Sequence, residues 1–304
     1  MKVLIGNFHN GNFGGGEFYT YQVAKAISGF AEVLFGQEPN RNIWASNPFL
    51  KVSYRLWNGT EAVDAYINLN HFQTLICNTA KRNILSVFFP NKAHKVADYN
   101  DIVAICPYSA KYVKEFWGKE AQVCQPYSKD YKPGTKVKGT ILSIGNFFQE
   151  EDGHSKNQHI LIQALKKMGP NYRLTLIGNV VSPKYLQGLR EAAKGLNVEI
   201  LPNAPENVKD TLLASSEFYW HANGYGRTDP YQTEHFGIAP EEALKAGCLT
   251  YVHNSGGAKD FCTSWDTVAE LVQMTRVRSH NKTGAEFQTP AKMREFWREL
   301  LHAA

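Results

Sequence analysis

Short apolar runs alternate with stretches of helical periodicity along most of the chain, and the alternation begins twice. KVLIGNF (2–8) is a strand-like run broken by Gly and Asn. After it, GNFGGGEFYTYQVAKAISGF sets Phe18, Tyr21, Val23, Ala24 and Ile27 at helical spacing, which reads as strand, glycine loop, helix. AEVLFG (31–36), YINLN (66–70), NILSVFF (83–89) and DIVAICP (101–107) continue as strands, and YSAKYVKEFWG as a helix. YSKDYKPGTKVKG (127–139), rich in Pro, Gly and Lys, interrupts the pattern, which restarts at TILSIGNFF (140–148). QHILIQALKKMG, RLTLIG, KYLQGLREAAKG, VEILP, a helix near 206–214, EFYWHA and CLTYVH then alternate helix and strand. Such alternation implies α/β architecture: two parallel, doubly wound sheets, with a ligand cleft expected between them. The division is expected at 135/136, giving domains 1–135 and 136–304.

Composition removes several alternatives. With 304 residues, 43% apolar and 20% charged, the chain can bury a sizeable core, and it shows no low-complexity tract or internal repeat. No stretch approaches the roughly 18 consecutive apolar residues of a membrane span. MKVLIGNF lacks the order of a signal peptide, so a cytoplasmic protein is expected. Cys77, Cys106, Cys124, Cys248 and Cys262 are odd in number and scattered, which suits reduced buried thiols and predicts no metal site. Residues 1–135 carry 14 Lys+Arg against 10 Asp+Glu, the remainder 19 against 18, so the positive excess lies in the first half. KYVKEFWGK (111–119) mixes lysines with aromatics and suits a lipid headgroup surface or an anionic substrate. A solvated helix face over buried Phe116 and Trp117 accounts for the same residues. No nucleic-acid partner is expected. GNFGGG is not a complete G-x-G-x-x-G fingerprint, and no ribose-binding acid follows about 20 residues on, which disfavours NAD.

In TEHFGIAPEEALKAG (233–247) two acidic positions, Glu234 and Glu242, stand separated by seven residues. Pro240 suits the first turn of a helix and Gly247 its end, so Glu234 falls in the preceding loop and Glu242 on the helix, able to face one cavity. Amides near Gly237 and Ile238, at a helix amino terminus, can cradle a phosphate, while carboxylates can only accept hydrogen bonds. A ligand with both phosphate and hydroxyls, a nucleotide sugar, satisfies both. The alternative is a helix-favourable glutamate complementing the dipole beside an ordinary loop acid.

EHFGIAPEEALKAG resembles the Glu, seven residues, Glu signature of the family 4 retaining glycosyltransferases (glycosyl transferases group 1), whose GT-B architecture has two Rossmann-like domains facing a central cleft. GGGEFYTYQVAKAI, ICPYSAKYVKEFWG before QPYSKDYKPG, ILSIGNFF with HSKNQHILIQAL, and NSGGAKDFC are similar to that family in the family's order. The resemblance implies an acceptor-side first domain and a nucleotide-sugar-binding second domain. It gives Glu242 the ribose hydroxyls, Glu234 the donor sugar, and Gly237 and Ile238 the phosphate amides. Lys156, in HSKNQ, matches the lysine that neutralises the donor diphosphate, and Gly14, Gly15 and Gly16 match the loop nearing the donor phosphates. Where the family usually has Arg, as in GRFF, this chain has Asn146 in GNFF, so half of the cationic clamp is missing. Arg227, in WHANGYGRTDP, is a candidate to compensate, a surface ion pair being the alternative. His71 matches a sugar-contacting position in some relatives, and His221 and His235 flank the donor loop; a structural histidine is the alternative for each.

The implied activity is transfer of a hexose from a GDP- or UDP-sugar to an acceptor hydroxyl with retention, without metal or other cofactor. The acceptor would be a sugar or a lipid-linked species, as in polysaccharide biosynthesis, with peripheral membrane contact by the basic half. The alternative of another class is a catalytically weak or inactive sugar-nucleotide-binding subunit. A GT-B epimerase is disfavoured by the spacing of the two acids.

Overall fold

The computed structural model describes residues 1–8, 14–70, 73–149, 151, 155–282, 284 and 286–303. The chain forms two compact units, Met1–Tyr127 with Glu286–Ala304, and Ser128–Ala285. The division thus falls at 127/128 rather than 135/136, and the last residues return to the first unit. The lysine-rich segment that looked like a linker is bonded into the second unit: Tyr131 OH reaches Asp210 Oδ1 at 3.1 Å, and Lys136 Nζ donates to the carbonyls of Leu213 and Ala246.

The first unit is a seven-stranded sheet in the order β3-β2-β1-β4-β5-β6-β7. Its strands are β1 (Lys2–Ile5), β2 (Glu32–Phe35), β3 (Arg55–Leu56), β4 (Val63–Asn68), β5 (Ala80–Val87), β6 (Asp101–Ala104) and β7 (Gln122–Val123), with every neighbouring pair parallel. Helices α1 (Gly15–Ile27), α2 (Arg41–Ser46) and α3 (Pro107–Trp117) belong to this unit. Most of α1 is buried, including Phe18, Tyr21, Val23, Ala24 and Ile27.

The second unit is a six-stranded parallel sheet in the order β10-β9-β8-β11-β12-β13. Its strands are β8 (Val137–Ile144), β9 (Arg173–Gly178), β10 (Val198–Pro202), β11 (Ser216–His221), β12 (Leu249–His253) and β13 (Thr263–Trp265). Helices α4 (Gln158–Lys166), α5 (Pro183–Ala192), α6 (Glu206–Ser215), α7 (Ile238–Lys245) and α8 (Val268–Arg276) connect or follow them. A central strand covered on both faces should read as a continuous apolar run, and in β11 Phe218, Tyr219 and Trp220 are all fully buried. One face packs Phe147, Leu161, Leu165, Leu174, Leu176, Phe218, Trp220 and Leu271; the other packs Leu142, Ile177, Leu213, Tyr219 and Ala243. The terminal helix α9 (Pro290–His302) lies against α1 in the first unit.

In chain order the second sheet runs 3-2-1-4-5-6. Its connections leave β8 toward one edge and β11 toward the other, so a crevice opens beyond the carboxyl ends of these two strands, where ligands bind in open α/β sheets.

Candidate donor site in the second unit

The carboxyl ends of β8 and β11 supply the first half of the site. β8 runs into Gly145, beside which the stem of Lys156 passes. A Cβ on Gly145 would lie 2.7 Å from Lys156 Cγ, so the bare backbone is what admits the lysine. Lys156 Nζ then stands 2.8 Å from Glu234 Oε2, both side chains being largely covered. The same oxygen accepts from His221 Nε2 at 2.8 Å, at the end of β11, and from Asn223 Nδ2 at 3.0 Å. A carboxylate can only accept, so His221 carries its proton on Nε2. Three donors converge on one oxygen, while Oε1 has no hydrogen bond among the described residues and remains open to solvent. Burial alone would push the Glu234 pKa up. The charge of Lys156 and the hydrogen bonds of His221 and Lys156 outweigh it and hold the carboxyl well below the usual range.

The loop bearing Glu234 is clamped by the SGG turn: Gly257 N–H donates to the Glu234 carbonyl at 2.8 Å. Gly256, at φ +71°, would place a Cβ 2.1 Å from that carbonyl oxygen, so this turn admits glycine alone. Gly237 (φ +97°) precedes α7, whose first turn has no side-chain cap, as is also true of α4. Ser182 and Thr267, by contrast, cap α5 and α8. The amides following Gly237, Ile238 first among them, are thus available to an anion.

Glu242, on α7, repeats the pattern of Glu234. Its Oε1 accepts from Lys209 Nζ at 3.0 Å and Tyr131 OH at 3.1 Å, whereas Oε2 has no partner among the described residues and reaches solvent. Burial dominates here and raises the Glu242 pKa despite the charge of Lys209. Its neighbour Glu241 is fully buried and faces Lys245 at 2.8 Å, one turn on.

The remaining expectations distribute as follows. Asn146 Oδ1 accepts the Asn179 N–H at 3.3 Å, so its side chain ties the ends of β8 and β9 together. Arg227 is half-buried in the turn after β11, its N–H bonded to Gly224 O at 3.0 Å. His235 Nε2 lies 3.0 Å from the carbonyl of Tyr231, a local contact within its own loop. Gly15 and Gly16 open α1 of the first unit behind Gly14, with no side-chain cap. His71 lies outside the described residues. All five cysteines are buried and free. Among the described residues no group of three or more His, Cys, Asp or Glu is placed to hold a metal, and no helix is long and apolar enough to cross a membrane. A surface cavity of about 610 Å³ in the first unit, lined by Lys25, Lys51, Tyr54 and Arg55 among others, adjoins the amino end of β2, the opposite edge from the one where such sheets bind ligands. Asn223, Lys209 and Tyr131 carry no signal in the sequence, since each lies in a polar stretch, HANGYGRTD, PENVKDT and SKDYKPG respectively.

Residues 135–279, which include Lys156, His221, Glu234 and Glu242, match the family model described as Glycosyl transferases group 1. A curated relative from Eremothecium gossypii, GDP-Man:Man(3)GlcNAc(2)-PP-Dol alpha-1,2-mannosyltransferase, is 26% identical over 145 residues. That match takes in 46% of this chain and 24% of the relative, so the chain matches about a quarter of that protein's length. Among solved structures, HepE of Anabaena in complex with UDP and glucose superposes with a TM-score of 0.71 at 13% identity, covering all of both chains. AviGT4, a glycosyltransferase involved in avilamycin A biosynthesis, gives 0.63 at 14% identity over 100% of this chain and 99% of its own. The fold is therefore the two-sheet α/β fold of GT-B glycosyltransferases, and residues 135–279 of the chain are similar to the glycosyl transferases group 1 family.

Proposed function

We propose that the protein is a retaining hexosyltransferase that moves a hexose from a GDP- or UDP-sugar to an acceptor hydroxyl. The observation that carries this reading is the pairing of Glu234 and Glu242: each carboxylate is tied through one oxygen and open at the other, beside an uncapped helix amino terminus and a lysine. Two fixed acceptors with a cationic, N–H-rich patch complement hydroxyls that flank a diphosphate. Glu242 Oε2 receives the ribose hydroxyls and Glu234 Oε1 a hydroxyl of the donor sugar. An ammonium has three N–H groups. Lys156 uses one on Glu234 and turns the others, with the amides of Gly237 and Ile238, to the diphosphate.

As the sugar–phosphate bond breaks, the electron pair goes to the departing phosphate oxygen, and charge grows where these donors already stand. The acceptor oxygen bonds to the anomeric carbon on the face the diphosphate leaves, which retains configuration, and its proton passes to the diphosphate. Lys156 and the helix amides supply the charge stabilisation for which a metal would otherwise serve, so neither metal nor cofactor is invoked. Gly15, Gly16 and Arg227 are assigned to the donor phosphates and His71 to the donor sugar on the resemblance alone. The acceptor is a sugar or lipid-linked hydroxyl, the compartment the cytoplasm, and the lysines of α3 give the first unit peripheral contact with anionic membrane.

The test is a thermal-shift panel of GDP-, UDP- and ADP-sugars followed by transfer assays, with the anomeric configuration of the product read by NMR. A ligand that binds only the native state raises its stability by mass action. Stabilisation by at least one sugar nucleotide and a product of retained configuration are expected; no stabilisation by any of them overturns the reading. The side chain of Asn146, engaged with the Asn179 N–H instead of presenting a cation, favours a second reading, a sugar-nucleotide-binding subunit of little activity. Binding without transfer or hydrolysis would select it. Membrane contact is tested by co-sedimentation at low salt, where equal binding to anionic and neutral vesicles would exclude it.

A further inference from the structure

Glu242 is approached from four elements. From α6 come Lys209, Glu206 and Asp210; from the segment before β8 comes Tyr131; β11 contributes Tyr219; and α7 itself carries Glu241 and Lys245. Lys209 Nζ is 3.0 Å from Glu242 Oε1 and 2.9 Å from Glu206 Oε1, and its side chain is only 17% exposed. The Tyr131 hydroxyl has one proton and two acceptors, Glu242 Oε1 and Asp210 Oδ1, each at 3.1 Å. Lys129 bridges Glu206 and Asp210, the outer acids of the group. Of these cations, Lys209 is the one in contact with Glu242, amid two further carboxylates.

A buried carboxylate with like charges near it and no cation takes up a proton. A protonated carboxyl loses the acceptor capacity that a cis-diol requires, because both ribose hydroxyls come to it as donors. We propose that Lys209 is a positioning residue of the nucleotide site: it holds Glu242 through Oε1 and keeps the carboxylate charged, so that Oε2 is free to receive the two ribose hydroxyls. This rests on the nucleotide-sugar reading above. A purely structural lysine would staple α6 to α7 and leave the charge on Glu242 without consequence for binding.

The experiment measures the dissociation constants of UDP-glucose and GDP-mannose by calorimetry between pH 6 and pH 8. The unaltered protein is compared with Lys209→Met and Lys209→Arg. Both ligands are phosphodiesters of constant charge in this range, and His221 is common to every variant. In Lys209→Met the affinity should fall as the pH is lowered, approaching roughly tenfold per pH unit once Glu242 is mostly protonated. The unaltered protein should show a shallower slope, and Lys209→Arg should restore it. Should Lys209→Met fail to fold, Lys209→Gln, which keeps a hydrogen-bond donor without the charge, makes the same comparison. A Met or Gln variant whose affinity is unchanged, or reduced equally at every pH, overturns this inference alone. Failure of the unaltered protein to bind either sugar nucleotide overturns the donor reading and this inference with it.

Discussion

Glu234 and Glu242 have opposite electrostatic settings. Lys156 and His221 hold the Glu234 carboxyl below its ordinary range, so the stability it contributes is complete above its unfolded pKa and is lost only as the pH falls through the lower folded value. Glu242 is raised by burial, so on acidification it protonates first. Nucleotide-sugar affinity is therefore expected to weaken on the acid side before the fold is lost, an order that calorimetry and thermal unfolding over the same pH series would display. Glu242→Gln removes the charge while keeping the shape, and should weaken binding by about 1.5–3 kcal/mol, the range for hydrogen bonds to a charged group. Glu242→Ala should in addition lower stability, by less than the roughly 3–5 kcal/mol of a buried charge left wholly unpaired, because Lys209 keeps Glu206 at 2.9 Å. Lys156→Ala should reduce kcat more than it raises the donor KM, since the charge it meets grows in the transition state. Turnover like that of the unaltered protein would return Lys156 to a structural role. The two acids stand out in the sequence by their spacing across a loop and a helix start, whereas Lys156 is singled out only by the resemblance of HSKNQ to a family motif. Lys209 and Tyr131 do not stand out, because what brings them to Glu242 is the packing of α6 and of the segment before β8 against α7.

The strands that show most plainly in the sequence are those buried on both faces. RLTLIG coincides with β9 and EFYWHA lies within a residue of β11, since a strand covered by helices must be largely apolar, while VEILP coincides with β10, an edge strand that is only half-buried. Two-residue β3 and β7 and three-residue β13 carry too short a pattern to register, and α8, closed at its start by the Thr267–Glu270 capping box, is not among the helices read from the sequence either. Glycines at the ends of β8 and β9 separate two kinds of constraint. A Cβ on Gly178 would lie 2.0 Å from the carbonyl oxygen of Gly145, a backbone atom held in the sheet, whereas one on Gly145 meets the flexible stem of Lys156. Gly178→Ala is accordingly expected to cost about 1–3 kcal/mol of stability, as overpacking does, seen as a lowered Tm. Gly145→Ala should leave Tm nearly unchanged and lower kcat by displacing the ammonium. Equal effects of the two substitutions on Tm would remove this distinction.

At the scale of the whole chain, the sequence showed that two α/β units follow one another but not that the first is closed by the last residues. TPAKMREFWRELLHA carries every local sign of a helix, with Thr289 as N-cap and Pro290 at its start. Its partner is set by tertiary packing alone: α9 buries Met293, Trp297, Leu300 and Leu301 in the first unit, against α1. Arg82 on β5 closes the far end, its Nη1 donating to the carbonyls of Leu300 at 2.6 Å and Ala303 at 3.0 Å while its Nε pairs with Asp101. Burying a large apolar side chain contributes about 1.5–3 kcal/mol. Four of them rival the whole stability of an ordinary domain, about 5–15 kcal/mol. A chain ending at residue 285 should therefore keep the second unit folded and lose the first, with fast amide exchange throughout 1–127 and native protection within 128–285. Arg82→Ala, which frees only the last turn, should leave the first unit folded but speed exchange at the amides of α9. Native protection of 1–127 in the truncated chain would show that the first unit is complete without its returning helix.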